Sequence, residues 1–353
     1  MTIRQTRVRG MIIATVAATA LGAGMMIFAS QSSAGTTGQA AAEVTLRPMF
    51  TQVPPVAPAV ELTVTGRSGG VALVEWTEGD RPDGVTFNHF YVSLYDATPP
   101  SLPTPRPGVT PTPTPGSTLP PTPIASRELP ATARSTQFTG LDPALTYGVR
   151  VWASGPKGQS GVAEQVLHKT TLAPSAAPAT ATAGASVTVS GSGPRAGEPI
   201  LIERRAAGTP TWTKVTTLKT GANLRWSLKT QQTVSTAFRA TYAGSEGQWP
   251  ASSSVTVTVR FAVTIKASTT KPKANQRITV TGAVRPAQAG AKVSLQRYAG
   301  GKWGVVAVST VKAGGSYAIP KTITKGTWPL RVVATGGKNV AFGTSGQVTV
   351  VAR

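Results

Sequence analysis

The chain has no cysteine and only two histidines, so the side chains able to do chemistry are few. Without a thiol, thiolate nucleophiles, thiolate metal centres and disulfide exchange are all excluded. His89 sits between Phe87 and Phe90, and His168 lies near the end of an alternating run. Neither has the Ser–Asp or Glu–His neighbourhood that activates a nucleophile, and both are read as structural. Glu75, Glu78, Asp80 and Asp83 gather at a strand end and its turn. Calcium takes about six to eight oxygens in a spaced loop. That spacing is missing here, and Gly79, Pro82 and Gly84 mark a solvated turn instead. A paired-carboxylate glycosidase would further need a cleft and a sugar platform. The expectation is a non-enzyme, with no catalytic residue, metal ligand or cofactor.

What remains is charge. The sequence has 35 Lys and Arg against 13 Asp and Glu, a formal net charge of +22. Residues 55–171 are nearly neutral, with eight basic and nine acidic side chains. Residues 172–260 carry nine basic residues against Glu198, Glu203 and Glu246. The last 93 residues hold fourteen basic residues and no acid. Charge of one sign raises the local concentration of its counter-ions, so the gradient directs the C-terminal end toward a polyanion. Lys266, Lys271, Lys273 and Arg277 form the densest run, and Lys292, Arg297 and Lys302 a second. Trp328 precedes Pro329 with Lys325 and Arg331 close by, which sets a ring beside cations. These ten residues are the candidate polyanion contacts. Trp152, Trp212, Trp226, Trp249 and Trp303 are further candidates for stacking, although a Trp in a small sandwich more often covers the edge of its core.

Elements must position these groups. Arg4, Arg7 and Arg9 precede an apolar run from Met11 to Phe28, followed by Ser32-x-Ala34. This is the grammar of an export signal, expected to span 1–34 and to be cut after Ala34. An uncleaved anchor is the alternative, since the run reaches the lower limit of about eighteen residues for a membrane span. No Cys follows it to carry a lipid. Residues 35–53 read as a linker. Beyond it, Val, Thr, Gly and Pro abound and short runs alternate, which predicts an all-β chain of three consecutive β-sandwich domains.

In residues 54–171, Ala72, Val74 and Trp76 share one strand face, and Phe90, Val92 and Leu94 another. Tyr147, Val149 and Val151 alternate behind a turn made by Gly140, Asp142 and Pro143. This segment resembles the fibronectin type III domain: Trp76, Leu141 and Tyr147 match the family's Trp and its Leu-turn-Tyr corner in order. Phe90 stands where the family usually has Tyr. The resemblance implies that the Tyr147 hydroxyl bonds back to nearby backbone and pins a strand crossing. A tract at 99–123 with eleven prolines interrupts the domain. It is expected to form a stiff loop between the third strand and the one containing Gln137–Leu141, with threonines suited to O-glycosylation.

The remainder is duplicated at 172–260 and 261–353. Val187-Thr-Val-Ser-Gly191 returns as Ile278-Thr-Val-Thr-Gly282, and Ile200–Arg204 as Val293–Arg297. Trp212 answers to Trp303, Phe238-Arg239 to Leu330-Arg331, and the closing Val255–Val259 to Val348–Val351. The two units are similar to the Ig-like repeats of secreted proteins from high-GC Gram-positive bacteria. That resemblance implies spacer, adhesion or polymer-binding duties. The expected protein is secreted or held at the cell surface and binds an anionic envelope polymer or acidic glycan through its basic end. Another surface protein is a further candidate partner. Nucleic acid is a weaker candidate, and a membrane is one only through an uncleaved signal. A stalk with no polymer ligand and an accessory module of a secreted hydrolase are the alternatives.

Overall fold

A computed structural model describes residues 4–8, 11–15, 60–78, 84–98, 122–156 and 158–353. The expected cleavage point at Ala34, the linker and the core of the proline tract lie outside these residues. Two compact units are distinguished, residues 1–53 and 54–353. In the first, the backbone of Arg4–Val8 pairs antiparallel with Met11–Thr15. The second is wholly β: no helix occurs among its described residues. Consequently none is long and apolar enough to cross a membrane.

The N-terminal sandwich follows from alternation. One sheet comprises Val60–Arg67, Val71–Glu78 and Ser135–Phe138. The other runs Ala163–Leu167, Tyr147–Gly155, His89–Asp96, Ala125–Pro130. Ala72, Val74 and Trp76 are buried from one side; Phe90, Val92, Leu94, Tyr147, Val149 and Val151 are buried from the other. Trp76 meets Phe90 across the layers with ring centroids 5.5 Å apart. The Tyr147 hydroxyl accepts the Asp142 N–H at 3.1 Å, which ties the turn back to the strand it enters. Ala125–Pro130 is a strand that the sequence does not lead one to expect. This edge strand has no buried residue, so no alternation announces it. Its partner is His89–Asp96, with Leu94 opposite Ala125, so the chain between them joins two neighbouring strands of one sheet.

Both later sandwiches repeat one plan. Ser186–Ser192 pairs with Arg225–Gln231 in one sheet. Thr213–Lys219, Pro199–Ala206, Thr236–Tyr242 and Ala251–Arg260 make the other. In the last sandwich Gln276–Arg285 pairs with Ser316–Ile323. Facing it are Lys302–Thr310, Lys292–Ala299, Gly326–Thr335 and Val348–Ala352. A β-bulge between Ile202 and Glu203 recurs at the equivalent point between Leu295 and Gln296. An extra residue on one strand re-aims every side chain beyond it, so its recurrence keeps the duplicated outer faces comparable.

The sandwiches interlock. Trp249, in the loop after Thr236–Tyr242, is fully buried, yet it packs in the N-terminal core rather than its own. It lies edge-on to Tyr147, 6.0 Å between centroids and 77° between planes. Backbone bonds hold it there: Trp249 N–H to His168 O at 3.0 Å, His168 N–H to Gly247 O at 2.9 Å and Gly247 N–H to Val64 O at 2.7 Å. Gly66 leaves the necessary room, because a Cβ there would lie 2.8 Å from the Trp249 ring. The corresponding loop of the last sandwich grips the middle one. Asn339 adopts a left-handed φ of 62°, accepts the Ser235 N–H at 2.9 Å and donates its amide to Ala207 O at 2.6 Å. Short polar Asn tolerates that conformation better than most residues. Phe261, buried at this junction, donates its N–H to Ala341 O at 3.1 Å.

Trp249→Ala is expected to cost about 3–5 kcal/mol, the range for removing a buried Trp. The loss should concentrate on a sandwich the residue does not belong to. Hydrogen exchange should show faster exchange at Val64 and His168 with the last sandwich unchanged; unaltered protection at 60–78 would refute the plug. Alkaline stability gives a second check. Tyr317 is buried, donates its hydroxyl to Thr264 O at 2.6 Å, and holds its proton well above the ordinary phenol range because of that burial. The folded state thus favours the neutral phenol. Its contribution is complete below about pH 10 and falls as pH rises past that value, where the unfolded chain ionises first. Tyr317→Phe should lower stability by about 1 kcal/mol at neutral pH and flatten the alkaline decline, read by denaturant unfolding across that range.

Candidate polyanion-binding face

A sandwich has two outer faces that look away from each other, and the ten candidate residues do not converge on either one. On the Gln276–Arg285 sheet, Lys266 stands opposite Thr281 and Arg277 opposite Thr322. Lys271 and Lys273 occupy the turn between them, held by Lys271 N–H to Thr269 Oγ1 at 3.2 Å and Lys273 N–H to Gln276 Oε1 at 2.8 Å. All four are exposed; Lys271, Lys273 and Arg277 lie at or beside one turn, and Lys266 stands further along the same sheet, opposite Thr281. Exposed Lys292 and half-buried Arg331 belong to the opposite sheet. Lys302 starts the outermost strand of that sheet, and Lys325 lies in the turn before Gly326; both are exposed.

Two candidates turn inward. Trp328 is buried, and its indole N–H is donated to Thr324 O at 3.0 Å. The Arg297 guanidinium lies 3.8 Å above the Trp328 ring and donates to Thr327 O at 3.2 Å. The register explains both: Arg297 pairs with Leu330, whose side chain is in the core, so Arg297 shares the inner face. The expectation of Trp328 as a stacking surface is corrected on this ground: the ring caps the end of the core and Arg297 covers it. Trp226 and Trp249 are likewise buried. Trp152 does point outward, but Tyr91 stacks on it at 5.6 Å and 14°.

The aromatic group that sequence reasoning undervalued is Trp303. Arg331 lies over its ring at 4.2 Å, and Tyr298 leans against it at 5.3 Å and 54°. Gln296 accepts the Arg331 Nε–H at 2.8 Å. The duplicated unit has the same construction: Arg239 lies over Trp212 at 4.5 Å and pairs with Glu203 at 2.7 Å. Arg205 covers Trp212 as well, at 4.7 Å. The signal was present in the duplication, where Trp303 and Arg331 each answer to a residue of the first copy. Their contact depends on cross-strand register, which spacing alone does not reveal.

Elsewhere, polar groups are spent on one another. Glu78 pairs with Arg134 at 2.6 Å, while Asp80 and Asp83 lie outside the described residues. His89 approaches Glu128 at 3.5 Å on the surface. Tyr95 is pushed up to about 12 by burial and by its hydrogen bond to Glu164. Glu164 also accepts from Arg150 at 2.8 Å, which closes that trio among themselves. Among the described residues no three His, Cys, Asp or Glu side chains gather as a metal site would require.

No family model matches the chain, and no curated protein does. Among solved structures, a tetra-tandem repeat from the extending region of a large adhesion protein overlaps with a TM-score of 0.24 and 16% identity. That overlap covers 83% of this chain and 74% of the other. The FN1–FN3 domains of chicken CNTN1 overlap with a TM-score of 0.20 and 11% identity, over 85% of this chain and 99% of that one. Overlap at this level leaves function to be read from the side chains.

Because Trp328 and Arg297 cap the core, Trp328→Leu is expected to destabilise the last sandwich by roughly 2–3 kcal/mol. Binding of polyphosphate, measured well below the melting temperature, should not change. Weakened binding by folded protein would return Trp328 to the surface set.

Proposed function

We propose that the protein is a non-enzymatic binding protein of the cell surface or its surroundings whose last sandwich holds an anionic envelope polymer. The observation that carries this reading is the charge of residues 261–353: fourteen cations and no acidic side chain to neutralise any of them. The fold does not demand it, since the middle sandwich is built on the same plan and keeps Glu198, Glu203 and Glu246. Many exposed Lys and Arg contacts act by releasing counter-ions from the polymer, so affinity depends steeply on salt. Two basic faces on one narrow domain suit a long, flexible polyanion better than a single compact ligand. The near-neutral N-terminal sandwich then serves as a spacer.

The interlocked junctions favour a companion reading, in which adjoining sandwiches are held stiffly and serve as a spacer. Inter-domain contacts limited to polar surfaces leave domains free to move, whereas a buried aromatic does not. Stiffness and adhesion are compatible, and binding separates an adhesive spacer from a bare one. Full-length protein should co-sediment with isolated bacterial envelopes at low salt and be released as salt rises. Replacing Lys266, Lys271, Lys273 and Arg277 by Gln should reduce the slope of log affinity against log salt by up to about one unit per lost contact. Wild-type protein that fails to pellet even at low salt would leave only the spacer.

A further inference from the structure

Each of the two repeats builds an Arg–Trp pair on the outer face of its bulged sheet, and the copies differ in what surrounds the Arg. In the middle sandwich Glu203 Oε2 accepts the Arg239 Nε–H at 2.8 Å and a terminal N–H at 2.7 Å. A carboxylate held by two guanidinium donors cancels the charge and occupies the edge that would meet an anion. Arg205 adds a second guanidinium over Trp212. In that copy Arg239 is tied up by Glu203, whereas Arg205 keeps its charge.

In the last sandwich the equivalent of Glu203 is Gln296. Its neutral amide fixes the plane of Arg331 through Nε alone and leaves the charge in place. Residues 261–353 contain no acid that could replace it. The register puts Tyr298 opposite Trp303, and Gln296 opposite both Arg331 and Val305, so these side chains share one outer face. Beside them Tyr298 is 44% exposed, Val305 57% and Val308 56%. Exposed Lys292 stands at one end of this row, and exposed Lys302 is the chain neighbour of Trp303 at the other.

We propose that this face is a binding subsite for an acidic polysaccharide, with Arg331, seated on the Trp303 ring, receiving a sugar carboxylate while Tyr298 and Val305 meet the apolar faces of the rings. It rests on the polyanion reading above and names where and how one such polymer is held. Pyranose rings present C–H faces that pack on aromatic and aliphatic surface alike, and the face offers both in a row. The 54° tilt between Tyr298 and Trp303 gives no parallel platform on which successive bases would stack. The Glu-to-Gln difference opens a cation that the other copy keeps shut.

The test exchanges that one group in full-length protein. Gln296→Glu is nearly isosteric and reproduces the pairing already tolerated in the middle sandwich. It should weaken binding of an oligogalacturonate about tenfold, the equivalent of one charge-assisted contact. Trp303→Ala should weaken it similarly, and a neutral oligosaccharide of equal length should not bind. Folding of each variant is checked by circular dichroism and melting. Unchanged oligogalacturonate affinity in folded Gln296→Glu and Trp303→Ala proteins would overturn the subsite while leaving diffuse polyanion binding intact. Wild-type protein that binds no polyanion at low salt would overturn both readings. Tighter binding of oligodeoxythymidylate than of oligogalacturonate, lost in the same variants, would overturn the choice of polysaccharide.

Discussion

The arrangement of residues 54–353 depends on an aromatic ring buried in a core that is not its own. Trp249 contributes apolar area to the N-terminal sandwich, and three backbone hydrogen bonds from its loop fix the angle at which that area is delivered. Apolar burial has no direction, so the bonds supply the geometry and the ring supplies much of the free energy. The indole N–H finds no partner in that core, a cost the packing must exceed. The second junction uses the same loop of the next sandwich but relies on Asn339 and backbone pairing, with Phe261 as its buried ring. Duplication has thus copied a way of joining as well as a way of folding.

Much of this was legible from the residues. Alternation placed Val74, Trp76, Phe90, Val92 and Tyr147 inside, because strands buried on one face cannot hide their period. The duplicated anchors foretold two sandwiches with the same strand order. Illegible features share a cause: they depend on which strand lies beside which. Ala125–Pro130 is an edge strand with no buried residue, so it carries no pattern to read. Trp249 has the composition of an ordinary hairpin residue, and nothing local says that its environment lies in another sandwich. Trp328 looked like a ring exposed beside cations, yet the strand parity that buries Leu330 buries it too.

Charge is the property in which the copies diverge most. The middle sandwich retains carboxylates where they complete pairs, with Glu203 on Arg239 and Glu198 accepting from Ser245 Oγ at 2.9 Å. The last sandwich has lost every one while keeping the strands, the bulge and the Arg–Trp contact. A β-sandwich core is indifferent to what its outer faces carry, so one scaffold supports a surface with paired carboxylates and one with none. Net charge of this size also opposes compactness. Arg297 shows how part of it is accommodated, spread over the Trp328 ring at the core's end.

The Trp249 plug also has a bearing on how the chain is made. Domains usually fold in the order in which they are synthesised, each complete before the next emerges. Here the sandwich made first is not sealed by its own strands: until residue 249 has been added and its loop has closed, the N-terminal core contains a hole the size of an indole. The nascent chain therefore carries an unfinished domain through the synthesis of the following eighty or so residues, a span set by the gap between His168 and Trp249. Its final closure reports that the neighbouring sandwich has folded.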